Sequence, residues 1–409
     1  MLPERYDVVI SGAGFAGMAL AQAIRQSTDG ALTVAVLDRA KPGAAPADLR
    51  AFAISAGSAH LLQTLGVWPL IEAGAQPVTA INITGGKLES PIRQRLLSYD
   101  NHTEAGEPAS FIVPAARLRD ALLSVAEVAG LVIIPETVPS QLTVTPAGIE
   151  IACTGGRTFS AQLSVASDGR RSSLRDLAGI KTVGWAYPQT AIITTVAHSE
   201  PHNGVATQHF LEAGPFAILP LAGGHRSSLV WTEVSAEAER VMALDDTGFL
   251  EALEQRFGGI LGTLQLDGPR AAQPLEMHLS RSLAATRVAV AGDAARGVHP
   301  IAGQGLNLAL RDVAALTETI VDTARIGLDI GGPEVLQRYE RWRRFDGAMS
   351  AAAMDGLNRL FSNGNPALRV AREAGLGLTD RLPGLKDWFV AEAAGLTGTV
   401  PKLITGELP

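Results

Sequence analysis

Residues 288–312 read VAVAGDAARGVHPIAGQGLNLALRD. The apolar start predicts a short buried strand, and Gly292-Asp293 then turns the chain and leaves a carboxylate at the strand's carboxyl end, where open α/β sheets bind ligands. After His299-Pro300, the glycines of Gly303-Gln304-Gly305 let backbone amides approach a ligand, and an apolar helix follows. Asp293 suits a ribityl hydroxyl, and the helix amino terminus suits the pyrimidine edge of a flavin, which becomes negative on reduction. The stretch predicts a flavin site; the competing interpretation is an ordinary strand–loop–helix corner with glycines for packing.

The amino terminus carries the pattern of a dinucleotide-binding turn. An apolar strand precedes G-x-G-x-x-G, whose glycines are Gly12, Gly14 and Gly17, and a helical pattern follows it. Gly12 is expected to make the tight turn, Gly14 to admit a pyrophosphate, and Gly17 to let helix and strand pack closely. The second strand ends at Asp38, whose spacing suits an adenosine ribose, and Arg39 is next to it. Together with the later stretch, this turn predicts noncovalent FAD, since no flavin-linking residue is evident.

Composition favours an enzyme of a reducing compartment. The formal net charge of −7 shows no excess of basic residues that could bind phosphates, so we expect no nucleic-acid partner. The lone Cys153 excludes an intramolecular disulfide framework and is best interpreted as a small strand residue. We find no signal peptide, no bilayer-spanning run and no metal motif, and expect a cytoplasmic protein. Only 18% of residues are charged, which leaves room for an apolar pocket or a membrane-touching face.

The order of patterns along the chain predicts an α/β domain that is interrupted by antiparallel β structure. Short alternating runs between residues 141 and 160 indicate a meander, and a buried strand then ends at Asp168-Gly169. Longer strands over 181–271 predict a mainly antiparallel sheet, and helical periodicity dominates after 312. The predicted units are a discontinuous Rossmann-like FAD-binding domain (1–75, 110–180 and 272–330), a substrate-binding sheet domain (76–109 and 181–271) and a C-terminal helical region (331–409).

These residues resemble the single-component (group A) flavin-dependent aromatic monooxygenases, and within them the ubiquinone-biosynthesis hydroxylases. The flavin and NAD(P)H motifs of the wider class are matched by the glycine turn, by Asp168-Gly169 with Ser172 and Arg175, and by Gly292-Asp293. More specific are His299–Asn307 (HPIAGQGLN) and the following Arg311-Asp312, which resemble the signature of the ubiquinone subgroup. Ala309, Arg296, Asp38 and Pro114 depart from the usual residues without removing a group that flavin chemistry requires.

The resemblance implies a p-hydroxybenzoate hydroxylase-like fold and a hydroxylase that uses FAD, O2 and NAD(P)H, with NADPH favoured. It implies ring hydroxylation of a polyprenylated phenol in ubiquinone biosynthesis, through a flavin C4a-hydroperoxide. Other ubiquinone-biosynthesis enzymes and further copies of the chain are implied as partners. Two alternatives remain: another flavoenzyme of the same fold, which hydroxylates a soluble aromatic substrate or reduces an isoprenoid, and a flavin-binding organising subunit without turnover.

The resemblance also assigns roles to single residues. The catalytic loop comprises Pro300, Gly303, Gln304 and Gly305, and Leu306 and Asn307 complete the flavin contact. Arg50 and Arg117 are expected at phosphate or ribityl oxygens, with a solvated surface charge as the alternative. His299 is either a general base or a residue that orients the loop.

Aromatic residues of the predicted sheet allow two interpretations. Tyr187 and Gln189 either polarise a phenol or form a plain strand face, which we favour. We expect Trp68, Trp185 and Trp231 in the core.

The stretch Leu368–Phe389 mixes apolar and basic residues. Such a face suits weak peripheral contact with the inner face of a membrane, where a polyprenylated phenol would reside. Packing on the protein's own helices or on a partner subunit explains the same pattern.

Overall fold

The computed structural model describes residues 3–41, 48–86, 88, 94–361, 390–391 and 394–409. The strands within these residues are β1 (Glu4–Arg5), β2 (Val8–Ser11), β3 (Val34–Leu37), β4 (Ala51–Ser55), β5 (Gln76–Pro77), β6 (Ala80–Gly85), β7 (Gln94–Asp100), β8 (Ser110–Pro114), β9 (Val132–Ile134), β10 (Pro139–Thr145), β11 (Gly148–Cys153), β12 (Thr158–Ala161), β13 (Leu163–Ala166), β14 (Thr182–His198), β15 (Val205–Phe210), β16 (Pro215–Pro220), β17 (Arg226–Val234), β18 (Leu264–Leu266), β19 (Ala271–Ser280), β20 (Ala284–Ala285), β21 (Val288–Val290) and β22 (Arg296–Gly297). The α-helices are α1 (Phe15–Ser27), α2 (Ala56–Thr64), α3 (Trp68–Ile71), α4 (Ala115–Val128), α5 (Ser173–Leu177), α6 (Ser235–Met242), α7 (Asp246–Phe257), α8 (Gly305–Arg325), α9 (Pro333–Phe361) and α10 (Lys402–Thr405).

A six-stranded sheet in the order β20-β21-β13-β2-β3-β9 forms the centre of the α/β part. Its strands are parallel apart from β20. β2, β3 and β13 are buried along their whole length, as expected for parallel strands covered on both faces. The carboxyl ends of β2, β3, β13 and β21 therefore meet at one edge, and each is followed by a turn whose residues the sequence singled out.

A second sheet has the order β22-β19-β14-β17-β16-β15-β6-β7, with β18 paired to β14. It is antiparallel except where β15 pairs with β6 in parallel. One face packs on α6 and α7 through an aromatic cluster around Trp231, which is 1% exposed. The predicted combination of a parallel sheet with a mainly antiparallel one is confirmed.

Two smaller sheets and the C-terminal helices complete the described fold. The predicted meander forms β10, β11 and β12, joined by β1, while β4, β8 and β5 make a three-stranded sheet. α8 ends at Arg325, and α9 begins at Pro333. None of the described helices is long and apolar enough to cross a membrane. Leu368–Phe389 lies outside the described residues.

The tryptophans differ in burial. Trp68 is 7% exposed and packs edge-on against Phe111, so the predictions for Trp68 and Trp231 are confirmed. The prediction for Trp185 is wrong, because this side chain is 41% exposed. β14 pairs with β17 only from Gln189 onward, so the part of the strand that carries Trp185 has β19 alone as a neighbour.

Candidate functional site

A cavity of about 810 Å³ lies between the carboxyl edge of the parallel sheet and the inner face of the nine-stranded sheet. Its wall contains most of the predicted site residues: Gly12, Gly14, Asp38, Arg39, Arg50, Asp168, Gly169, Asp293, Pro300, Gly303, Gln304, Gly305, Leu306 and Asn307. Gly17, Arg117, Gly292 and His299 do not line it. The two sequence stretches that predicted a flavin therefore meet in one space.

The three glycines of the amino-terminal turn have different surroundings. Gly12 has φ +107°, and a Cβ there would lie 2.6 Å from the Cα atom of Asp168. A Cβ on Gly17 would lie 1.9 Å from the carbonyl oxygen of Gly12, so helix and strand pack too closely for any side chain. A Cβ on Gly14 would meet nothing within 4 Å. The chain is therefore closed around Gly12 and Gly17 and open at Gly14, where the first amides of α1 have no side-chain cap and are available to a ligand.

Asp38 is held by the glycine turn. Its carboxylate accepts hydrogen bonds from the Ala13 amide at 2.7 Å and the Ala40 amide at 2.6 Å. The adjacent Arg39 donates from Nη2 to the carbonyl oxygen of Asp168 at 2.6 Å. This arrangement places an anion and a cation together at the end of β3, where an adenosine ribose and a pyrophosphate would lie.

The Asp168 carboxylate stabilises the turn after β13 through hydrogen bonds. It accepts hydrogen bonds from the Ser172 hydroxyl and from the Ser173 amide, the latter at 2.9 Å. The buried Arg175 donates to the carbonyl oxygen of Ala294 at 3.1 Å and so ties this turn to the one that carries Asp293. Asp168 thus shapes the cavity wall, while Gly169, with φ +86°, exposes backbone to the cavity.

Asp293 is exposed toward the cavity, and its carboxylate has no hydrogen-bond partner among the described residues. Gly292 precedes it with φ +62° and donates its amide to Oδ2 of Asp312 at 3.1 Å. Asp312 is fully buried and also accepts from Arg296 Nη1 and Arg343 Nε, each at 2.9 Å. The free carboxylate is thus carried on a turn anchored to α8 and α9. Sequence reasoning placed Asp312 in a signature but missed this anchoring role.

The loop from Pro300 to Asn307 lies against β4. Gly303 has φ +62°, and its hypothetical Cβ would approach the Ala53 Cβ to 3.2 Å, whereas a Cβ on Gly305 would enter open space. α8 begins at Gly305 without a side-chain cap, so its first amides are available to a ligand. The Asn307 amide group accepts from the Ser55 amide at 3.0 Å and donates to the carbonyl oxygen of Ala53 at 2.8 Å. The Asn307 side chain therefore clamps the loop to β4.

His299 is buried and does not line the cavity. It is 1% exposed, its ring lies edge-on to Tyr187 with centroids 5.2 Å apart, and neither ring nitrogen has a hydrogen-bond partner among the described residues. Burial lowers the pKa of His299 to about 4, so the ring is neutral near pH 7. This position favours the loop-orienting interpretation over a general base.

Tyr187 and Gln189 are also outside the wall. The Tyr187 hydroxyl donates to Oδ1 of Asp355 at 2.7 Å. Gln189 donates to the carbonyl oxygen of Ala213 at 2.8 Å and accepts from Asn358 at 3.0 Å. Their side chains bind α9 and the sheet domain to each other, which favours the plain strand-face interpretation.

The two predicted arginines differ. Arg50 lines the cavity and forms a bidentate pair with Asp48 at 2.8 and 2.6 Å; this hydrogen bonding raises the pKa of the guanidinium. Arg117 is exposed, and its Cζ lies 2.5 Å from where a Cβ on Gly74 would be. The structure does not bring Arg117 to the cavity, because α4 directs the side chain toward Gly74.

The residues present fit FAD. Open space in front of Gly14 and Gly305, two uncapped helix amino termini and the free Asp293 carboxylate supply contacts for a pyrophosphate, a flavin edge and a ribityl hydroxyl. Among the described residues, no cluster of side chains could hold a metal ion.

Comparison with known proteins gives the family. Residues 5–351 match the model of the family described as "FAD binding domain". Ubiquinone hydroxylase UbiL of Rhodospirillum rubrum is 39% identical, over 98% of this chain and 92% of the relative. The mitochondrial ubiquinone biosynthesis monooxygenase COQ6 of Danio rerio is 30% identical, over 96% of this chain and 90% of the relative.

A solved structure shows the same fold. The p-nitrophenol 4-monooxygenase PnpA from Pseudomonas putida DLL-E4 superposes with a TM-score of 0.77 at 18% identity, covering 97% of this chain and 99% of that one. The chain therefore belongs to the FAD-binding family of flavin-dependent monooxygenases, as its resemblance to the ubiquinone-biosynthesis hydroxylases implied.

Proposed function

We propose that the protein hydroxylates the aromatic ring of a polyprenylated phenol in ubiquinone biosynthesis, with O2 and NAD(P)H as co-substrates. The observation that carries this proposal is the continuity of the cavity, which joins the flavin cleft to an apolar chamber on the nine-stranded sheet. The names of the relatives at 39% and 30% identity support the same substrate class.

The chamber suits an isoprenoid tail better than a small polar ligand. Aliphatic side chains from several strands form its wall: Ile81, Ile83, Leu97, Ala191, Ile193, Ala206, Ala217, Leu219, Val230 and Leu275. Burial of apolar groups contributes roughly 0.8 kcal/mol per CH2, so one five-carbon prenyl unit would contribute about 3–4 kcal/mol of binding free energy. That term distinguishes a tailed phenol from its tail-less analogue.

The residues of the chain would position the cofactor, stabilise negative charge on it and exclude water from the site. When bound, FAD accepts a hydride from NAD(P)H and activates O2. The α1 amides near Gly14 would hold the pyrophosphate, and Asp293 would accept a hydrogen bond from the ribityl chain. The α8 amides at Gly305 and Leu306 would stabilise negative charge on the pyrimidine edge. The apolar sheet face would exclude water, so that oxygen goes to the ring and is not released as peroxide.

Several finer assignments belong to the same proposal. NADPH is favoured over NADH as reductant, and the catalytic loop is Pro300, Gly303, Gln304 and Gly305. The domain division is the one given by the sequence pattern, with the sheet domain over 76–109 and 181–271. Association with other ubiquinone-biosynthesis enzymes, and peripheral membrane contact through 368–389, are part of the proposal.

The test compares a prenylated phenol in detergent with its tail-less analogue, using purified holoprotein. We expect the tailed phenol to give more hydroxylated product per NAD(P)H oxidised, because the tail helps to close the site against water. Equal coupling for short phenols would instead support a hydroxylase of soluble aromatics. Absence of NAD(P)H oxidation with either phenol would support a flavin-binding subunit without turnover.

A further inference from the structure

The sheet face that lines the cavity carries one tyrosine among aliphatic neighbours. Because side chains alternate along a strand, Leu97 and Tyr99 of β7 point to the cavity while Ser98 points to the other face, where it bonds Asn82. β6 contributes Ile81, which pairs directly with Tyr99 across the strands. Tyr99 thus brings a hydroxyl group into an otherwise apolar part of the wall.

The hydroxyl group of Tyr99 has no hydrogen-bond partner among the described residues, although its ring packs beside Ala56, Ala109 and Val390. Burial raises the pKa of Tyr99 to about 12, so the phenol keeps its proton at neutral pH. Tyr99 is half-buried and lines the cavity, so a ligand oxygen bound there would supply an acceptor for its hydroxyl hydrogen.

A second polar pair lies next along the same wall. Asn101 and Ser110 both line the cavity. Nδ2 of Asn101 donates to the carbonyl oxygen of Val78 at 3.0 Å and to Oγ of Ser110 at 2.9 Å. Since Oγ of Ser110 accepts this bond, its own hydrogen remains available for a ligand oxygen.

The polar corner formed by Tyr99, Asn101 and Ser110 is connected to the loop from Pro300 to Asn307 through Ser110. Ser110 of β8 pairs with Ser55 of β4, and the Ser55 amide donates to Oδ1 of Asn307 at the start of α8. Ser110 is therefore held by a strand whose neighbour β4 is bonded to the amino terminus of α8, while Tyr99 lies on β7 beside β6. A ring bound at this corner would keep a fixed orientation relative to the cofactor.

We propose that Tyr99, supported by Ser110, is a specificity-determining residue that donates a hydrogen bond to an oxygen substituent of the substrate ring. The inference rests on the proposed function and deepens it. In an apolar chamber an aromatic ring can rotate with little change in free energy, so a single fixed donor selects which ring carbon faces the flavin.

The test is Tyr99→Phe, which keeps the ring packing and removes only the hydroxyl group. We expect product formed per NAD(P)H oxidised to fall about threefold to tenfold, with more peroxide and new positional isomers of the product. FAD content and the rate of flavin reduction should stay unchanged. Ser110→Ala should change the isomer ratio in the same direction but less.

Two controls locate the effect. Tyr6→Phe removes a hydroxyl group outside the cavity and should leave coupling and isomers unchanged. Gln208→Leu removes a polar group from the same sheet face on β15, two strands from β7, and should leave the isomer ratio as in the wild type. A changed isomer ratio in Gln208→Leu but not in Tyr99→Phe would overturn the proposal.

The remaining outcomes are also decisive. Wild-type coupling and a single isomer in Tyr99→Phe would overturn the inference while leaving the proposed function intact. Loss of FAD from Tyr99→Phe would overturn it as well, since Tyr99 would then serve the cofactor. If wild-type protein with bound FAD hydroxylates no prenylated phenol, the proposed function itself fails.

Discussion

Replacement of Asp312 by Asn should weaken both the fold and the flavin site. The carboxylate is fully buried and forms ion pairs with the guanidinium groups of Arg296 and Arg343, each 2.9 Å away. Breaking a buried ion pair by removing one partner costs about 3–5 kcal/mol, because the remaining charge stays buried without compensation. The free energy of unfolding of the apoprotein should fall by about that amount, as measured by urea denaturation.

The same variant should lower FAD affinity. Asp312 also accepts the Gly292 amide at 3.1 Å, and one lost hydrogen bond of about 0.5–1.5 kcal/mol corresponds to roughly a twofold to tenfold weaker FAD affinity. Asp346→Asn is the matched control, because Asp346 is 36% exposed and pairs with the same Arg343; its loss should cost about 1 kcal/mol. Equal unfolding free energies for wild type and Asp312→Asn would refute the anchoring role.

Four further outcomes are expected. Gly14→Val should purify largely without FAD, because its side chain would fill the open space in front of α1; full FAD occupancy, measured by absorbance, would contradict this. Asp293→Ala should weaken FAD binding about tenfold to a hundredfold, with Asp293→Asn milder, since a charge-assisted hydrogen bond contributes roughly 1.5–3 kcal/mol; unchanged titrations would place the carboxylate elsewhere. The folded-state pKa of His299 is about 4, below the unfolded value near 6.5, so the neutral ring contributes its full stability above about pH 6.5. As the pH falls toward 4, the free energy of unfolding should decline by up to about 3 kcal/mol. His299→Phe should flatten that part of the pH profile of stability, and an unchanged profile would contradict the role of His299. Anionic liposomes should bind the protein weakly at low salt and release it at high salt if 368–389 contacts membranes, and no binding at low salt would remove that assignment.

The local parts of the site could be predicted from the sequence because their signals are short-range. Apolar runs ending at Asp38 and Gly292-Asp293 indicated strands whose carboxyl ends meet, and glycine spacing indicated where backbone is exposed. The open space at Gly14 and the tight packing at Gly17 agree with that reasoning.

Long-range pairing could not be predicted from the sequence. Asn307 bonds Ser55 across 252 positions. The parallel pairing of β15 with β6 joins β6 and β7, and with them Tyr99, to the nine-stranded sheet without any local sequence pattern. Side-chain direction was equally inaccessible, because helical spacing alone does not reveal that Arg117 points to Gly74. A tryptophan in a strand pattern predicts burial, yet Trp185 lies where β14 has one neighbour only.

Ring hydroxylation is tested most directly by isotope analysis of the product formed by FAD-loaded protein with NADPH and a prenylated phenol under 18O2. A flavin-dependent monooxygenase transfers one atom of O2 to the ring, so we expect one 18O atom in each newly hydroxylated phenol. Product without the label, or 18O recovered only in peroxide while the phenol is unchanged, would contradict it.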